Sequence, residues 1–151
     1  MDCVVVKPQK VISILNNLRG YREKLGQLAA IPGTEFLRDF AKVESAKHLL
    51  QVSIESCIDI AHHIVADNGY RAPQDSYDAF IVLNEEKIVP HDFLPTLRQM
   101  VSFRNRVVHL YWDVDDQAVQ GIVMNNLGDL DRFASLIADY LARQNEKGGE
   151  E

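Results

Sequence analysis

The sequence predicts an all-α fold, an antiparallel four-helix-bundle core with one additional helix. Three observations carry that expectation. Apolar residues recur at three- and four-residue intervals over most of the chain, which is the spacing of amphipathic helices. Stop signals fall at Ile31-Pro32-Gly33, Asn68-Gly69 and Ile88-Val89-Pro90, dividing the apolar pattern into helix-sized pieces. No segment alternates apolar and polar residues as a half-buried strand does, and no repeat or low-complexity block interrupts the pattern.

The first helix lies between Gln9 and Ile31, where Val11, Ile12, Leu15, Leu18, Leu25, Leu28 and Ala29 form the stripe. Gly20 and Gly26 weaken it without ending it. Thr34 with Glu35 reads as a cap and early acid opening a second, longest helix, which is expected to run unbroken to Asn68-Gly69. Glycine there supplies the left-handed closing residue. Its stripe of Phe36, Leu37, Phe40, Val43, Leu50, Ile54, Cys57, Ile58, Ala61 and Val65 makes this helix the spine of the bundle. Asp75-Ser76 can cap a shorter helix carrying Tyr77, Phe80, Ile81 and Leu83. His91-Asp92 starts the next, with Pro95 tolerated in a first turn that has no intrahelical N–H bond to lose. That helix carries Leu97, Met100, Val101, Val107 and Val108 up to His109. Asp113 to Asp116 is an acidic link and cap, and a last helix carries Val119 through Leu141.

At 151 residues the chain fits one domain. That domain is expected over residues 1–143, with a disordered polar tail over 144–151. Cys3 and Cys57 stand far apart, like unpaired thiols in a reducing cytoplasm. The run Val4-Val5-Val6 is too short for a signal-peptide core, and no stretch is read as approaching the ~20 apolar residues of a membrane span. A cytoplasmic protein is expected. The formal charge of −6 argues against a general nucleic-acid coat, because neutralising phosphates takes clustered Lys and Arg. One window opposes the whole: Thr96 to Trp112 holds Arg98, Arg104, Arg106 and His109 and no Asp or Glu.

Within that window Phe103-Arg104-Asn105-Arg106-Val107-Val108-His109-Leu110-Tyr111-Trp112 joins an obligate cation to an imidazole. Cleaving RNA without a metal requires a group that moves a proton to or from the 2′-hydroxyl or the 5′-leaving oxygen, and histidine titrates near neutral pH. It also requires a fixed positive charge on the phosphorane, which the planar arginine fork supplies. Residues five apart on a helix differ by ~140° and ~7.5 Å of rise, so Arg104 and His109 do not share a face. Loosening near Asp113 can turn His109 and Tyr111 toward Arg104, and a two-fold dimer can place both copies of the motif in one cleft.

This stretch resembles the signature of the HEPN superfamily, an Arg, then a polar residue, then a His four to six positions after the Arg. Arg104-Asn105 through His109 to Tyr111 is similar to the narrower form found in HepT-like toxins. The likeness continues in order through Ile54-Glu55-Ser56-Cys57-Ile58-Asp59-Ile60-Ala61, Tyr77-Asp78-Ala79-Phe80 and Met100-Val101-Ser102-Phe103. The resemblance implies a homodimeric toxin of a toxin–antitoxin pair, a metal-independent endoribonuclease acting on tRNA or another structured RNA, with Arg104 and His109 catalytic and no cofactor. It also implies an MntA-like nucleotidyltransferase antitoxin that silences the toxin by attaching AMP to the motif tyrosine, which by position is Tyr111. Where many relatives have glycine between the His and the Tyr, Leu110 stands here.

Blander readings stand beside these. Arg104 can be a salt-bridging surface arginine, and Asn105 either orients His109 or caps a backbone group. Arg106, with Arg98, either steers RNA phosphate or is solvated. Glu55, Asp59 and His63 project from one helix face, as a hydrogen-bonded seam more readily than a metal site. Asp59 is expected to be half-buried and to orient a catalytic group. His48, His62 and His91 read as ordinary surface or satisfied residues, and Tyr111 and Trp112 as either interface or core aromatics if not a modification site. A non-catalytic module that binds and regulates a nucleotidyltransferase is the alternative function.

Overall fold

A computed structural model describes residues 8–149, with side-chain surroundings for 9–146. Those residues form seven α-helices joined by short connections, with no strand among them. They are α1 (Pro8–Ala29), α2 (Gly33–Arg38), α3 (Phe40–Asn68), α4 (Ser76–Glu85), α5 (Leu94–His109), α6 (Asp116–Asn125) and α7 (Leu127–Gly149). The all-α expectation holds, and two expected helices are each divided.

The first division is at Asp39, inside the run read as continuous from Thr34 to Gly69. Asp39 is extended (φ −110, ψ 100), and its carboxylate accepts from the Ala41 N–H at 3.0 Å and pairs with Lys42 at 3.0 Å. A short acidic side chain that satisfies the first free N–H of a new helix competes well with helix continuation. The break turns Phe40 outward, 81% exposed rather than in the spine, while Phe36 stays buried. Thr34 is not the cap expected of it: α2 begins at Gly33 after Pro32, and the Phe36 N–H bonds the Pro32 carbonyl. The second division is at Asn126, whose N–H closes onto the Ile122 carbonyl before α7 starts. At the C-terminus the α7 backbone stays helical to Gly149, where the sequence predicts a disordered tail from residue 144. Arg143, Gln144, Glu146 and Lys147 are good helix formers, so an anchored helix propagates through them.

Other boundaries follow local chemistry. The Asp75 carboxylate accepts from the Asp78 N–H at 2.7 Å and that of Asp115 from the Gln117 N–H at 3.1 Å. Gly69 closes α3 at φ 66, a left-handed value that glycine takes without cost.

The spine is α3, packed against α1, α2, α4, α5 and α6. Leu18 and Leu25 of α1, Ile60 and Ile64 of α3, Leu97 of α5 and Ile137 of α7 are among the fully buried residues of the core. Burying each such side chain contributes about 1.5–3 kcal/mol. Phe80 and Phe133 meet edge to face, with ring centroids 5.7 Å apart. One helix departs from the expectation that nothing in the chain suits a membrane: an 18-residue window of α3 has mean hydropathy 1.2, enough by length and composition. Of that window 56% is buried inside the fold, so its apolarity reflects a central position among other helices. Two side-chain pairs give the direction of α5, since Arg104 meets Glu55 while Tyr111, further along, meets the earlier Lys47. Helix α5 therefore runs antiparallel to α3 and delivers its C-terminal end to the first half of the spine.

Candidate active site

Helix α5 buries Leu94, Leu97, Val101 and Val107 and turns its basic residues away from the core. Arg104 is the exception, since its side chain is only 27% exposed and leans on α3. Its Nε donates to Glu55 Oε1 at 3.3 Å and its Nη1 to Asn105 Oδ1 at 3.1 Å. Glu55 Oε1 also accepts from Gln51 Nε2 at 3.0 Å. Two of the three guanidinium nitrogens are thereby held, and Nη2 makes no hydrogen bond to the described residues.

His109 is the last residue of α5 and is exposed. It and Arg106 are the basic residues of the final turn, where the helix dipole favours cations. Leu110 then leaves the helix at φ −134, ψ 47, with its N–H on the Arg106 carbonyl at 2.7 Å. That negative φ is open to any residue, so the exit does not require glycine and leucine there is unstrained.

The chain next turns through Tyr111–Asp113 as a single 3-10 turn. This carries the Tyr111 ring back over α3, its centroid 4.9 Å from Lys47 Nζ. Arg104 and Tyr111 thus both face the spine, two turns apart along it, whereas His109 stays on the open side. The expected turning toward Arg104 is not seen within one protomer: Tyr111 reaches Lys47 instead, and neither it nor His109 hydrogen-bonds Arg104.

The remaining expected residues distribute as follows. Asn105 neither orients His109 nor caps a backbone group; its amide oxygen holds Arg104. Asp59 is exposed rather than half-buried, and the contact expected of it falls to Glu55, one turn earlier. Asp59 instead lines a groove of 490 Å³ between α1 and α3 with Glu55 and His63, across from Lys10, Asn17 and Tyr21. Arg106 pairs with Asp113 at 3.4 Å, both 60% exposed. Arg98 sits over the Tyr77 ring, 5.4 Å from its centroid. His48, His62 and His91 are exposed, as expected. Trp112 is 81% exposed and so not a core aromatic. The residues missed by sequence reading are Glu55 as the partner of Arg104 and Lys47 as the partner of Tyr111. The four-residue rhythm Glu55, Asp59, His63 pointed to the right face, but choosing among the three takes the register of α5 on α3.

Residues 18–137 match the family model described as HepT-like, Ribonuclease HepT-like. The chain belongs to the HepT-like family. It is 33% identical over 105 residues to a protein named mRNA nuclease HepT from Shewanella oneidensis, covering 70% of this chain and 79% of that protein. It is 24% identical over 142 residues to the tRNA nuclease HepT of Aphanizomenon flos-aquae, covering 94% and 97%. Among solved structures it resembles the tri-AMPylated Shewanella oneidensis HEPN toxin in complex with the MNT antitoxin, with a TM-score of 0.78 and 27% identity over 92% of this chain and 99% of that one.

Proposed function

We propose that this protein is the toxin of a toxin–antitoxin pair and cleaves RNA without a metal ion, using Arg104 and His109. The observation that carries the reading is the hold on Arg104: Glu55 and Asn105 tie two of its nitrogens and Gln51 shares the Glu55 oxygen, which gives the fork the fixed orientation that the chemistry needs. In the reaction the 2′-oxygen attacks the adjacent phosphorus, the bond from phosphorus to the 5′-oxygen breaks, and a 2′,3′-cyclic phosphate remains. His109 moves the proton and Arg104 meets the charge that gathers on the non-bridging oxygens. Arg106 and Arg98, further from the reacting atoms, steer the RNA backbone. Asp59 has no part in the braced set and shapes the adjoining groove.

The site is completed by a second copy of the chain. Val108, Leu110 and Trp112 expose 41%, 43% and 81% of their surfaces beside the motif, a cluster of the kind that marks an interface. A two-fold axis through it sets two motifs face to face in one cleft and brings a His109 toward the Arg104 of the other protomer. The relatives named for mRNA and tRNA cleavage support a cellular RNA as the substrate, with tRNA or another structured RNA the first to try. The likeness to an AMPylated toxin bound to its antitoxin supports a nucleotidyltransferase partner that places AMP on Tyr111. An added phosphate there fills the cleft and cancels its charge. The buried, unpaired Cys57 suits a reducing cytoplasm.

The test is cleavage of RNA in EDTA by protein purified without its partner. Arg104→Ala and His109→Ala are each expected to abolish cutting. Retained activity in either, or an inert unmodified parent, refutes the nuclease reading and leaves a regulatory partner of the transferase.

A further inference from the structure

Lys47 is an anomaly in α3. Lysine is among the residues least often buried, yet this one is 5% exposed. Its ammonium lies 3.3 Å from Glu44 Oε1, 3.1 Å from Asp116 Oδ1 and 4.9 Å from the centre of the Tyr111 ring. Removal from water pulls its pKa down, but the hydrogen bonds to Asp116 and Glu44 outweigh that and leave it raised, so the group carries its charge at neutral pH. One cation therefore joins three elements: α3 itself, the first turn of α6, and the 3-10 turn after the motif. Tyr111 remains 41% exposed, held by one ring face and open elsewhere.

Filling space does not call for a charge at this position, since methionine has similar length and reach. What the charge adds is attraction to the ring face, which prefers a cation to an apolar end. It also adds the tie to Asp116, which joins the first turn of α6 to α3.

We propose that Lys47 is a positioning residue for Tyr111, clamping the ring so that its phenol oxygen is presented outward to accept an adenylyl group. This rests on the reading of Tyr111 as the AMP acceptor. In that transfer, with ATP as donor and a nucleotidyltransferase as catalyst, the phenol oxygen bonds to the α-phosphorus. The bond from that phosphorus to the bridging oxygen breaks, pyrophosphate leaves with the electron pair, and the phenol proton passes to solvent. A ring already held in place lowers the entropy lost on reaching the attacking geometry. Lys47 touches neither the RNA nor the scissile phosphate in this scheme, so it bears on silencing more than on cleavage.

The experiment uses the full-length protein, a nucleotidyltransferase of the antitoxin class, and ATP with magnesium, following AMP increments by intact mass. Lys47→Met is expected to slow AMP incorporation by about tenfold, the scale of a desolvated cation–π contact with its tie to α6. Lys47→Arg, which keeps a cation able to stack on the ring, restores the rate to within about threefold. RNA cleavage by the unmodified Lys47→Met protein changes by less than about threefold. Unchanged incorporation in Lys47→Met, or equal losses in incorporation and cleavage, overturns the proposal. If Lys47→Met does not fold, Lys47→Gln carries the same comparison. A second readout needs no nucleotide: Trp112 is the single tryptophan and adjoins Tyr111, so its emission anisotropy reports the turn when variants of equal oligomeric state by sedimentation velocity are compared. Lower anisotropy in the neutral variants, recovered by arginine, supports the clamp, and equal anisotropy in all of them overturns it. Should Tyr111→Phe still take up AMP, the acceptor reading fails, and the anisotropy comparison decides the clamp by itself.

Discussion

Replacing Glu55 by glutamine removes the charge behind Arg104 while keeping the shape of the side chain. The nitrogen and oxygen are 3.3 Å apart on side chains 27% and 32% exposed. At an effective dielectric of about 20 the Coulomb attraction is about 5 kcal/mol before solvation is counted. Desolvation and screening reduce the net contribution of a pair this close to the surface to about 1 kcal/mol or less. The fold should therefore lose no more than about 2–4 °C in melting temperature. Catalysis is more sensitive, because loss of the Nε anchor frees the guanidinium to swing by about 1 Å, enough to cost up to about a hundredfold. Glutamine can still accept from Nε, so Glu55→Gln is expected to lower kcat about tenfold and Glu55→Ala about a hundredfold. KM for RNA should not rise in Glu55→Gln, since deleting a negative charge near the cleft favours phosphate binding. The assay is steady-state cleavage of a fluorescent RNA in EDTA, with a thermal melt of each variant. An unchanged kcat in Glu55→Ala, in a protein that melts like the parent, refutes the bracing argument.

Three further outcomes follow from other parts of the molecule. Trp112→Asp places a charge in the exposed apolar cluster and should yield a monomer in sedimentation velocity, with loss of RNA cleavage, if the proposed dimer forms there; a dimer that persists moves the interface elsewhere. The Arg71 guanidinium, 2.8 Å from Asp78, holds that carboxyl down from the ordinary 3.8 to about 2. This contribution to stability is present above the unfolded-state value and is lost as pH falls toward the folded one. Arg71→Ala should therefore melt lower than the parent at neutral pH and show a flatter loss of melting temperature in acid, whereas parallel acid limbs contradict the assignment. Burial pushes the Cys57 thiol up, far from its ordinary range, so iodoacetamide should leave Cys57 unmodified in native protein by peptide mapping; rapid alkylation means that α3 opens.

The features read correctly from sequence are those whose cause is local. Asp75 and Asp115 cap because their carboxylates reach the next free N–H, and Gly69 ends α3 because the exit is left-handed. Pro95 falls in the first turn of its helix for the same kind of reason. Asp39 shows the limit of this. Nothing near it differs from an acidic residue within a helix, and the apolar stripe on either side runs on in register, so the break appears only with α2 packed against α3 and α6. The site divides in the same way. Arg104 and His109 stand out because a cation and an imidazole are close in the chain. Glu55 and Lys47 acquire their roles from residues far along it, and a lysine or glutamate on a helix reads by itself as a solvated charge.

If one Arg104 and one His109 act on the same phosphodiester across a two-fold axis, mixed dimers should reveal it. Arg104→Ala and His109→Ala homodimers are each expected to be inactive. When the two variants are co-expressed with different affinity tags and the mixed dimer is isolated, it retains one arginine and one histidine on opposite protomers. RNA cleavage in EDTA should return in the mixed dimer. A mixed dimer as inert as both parents would contradict the shared cleft.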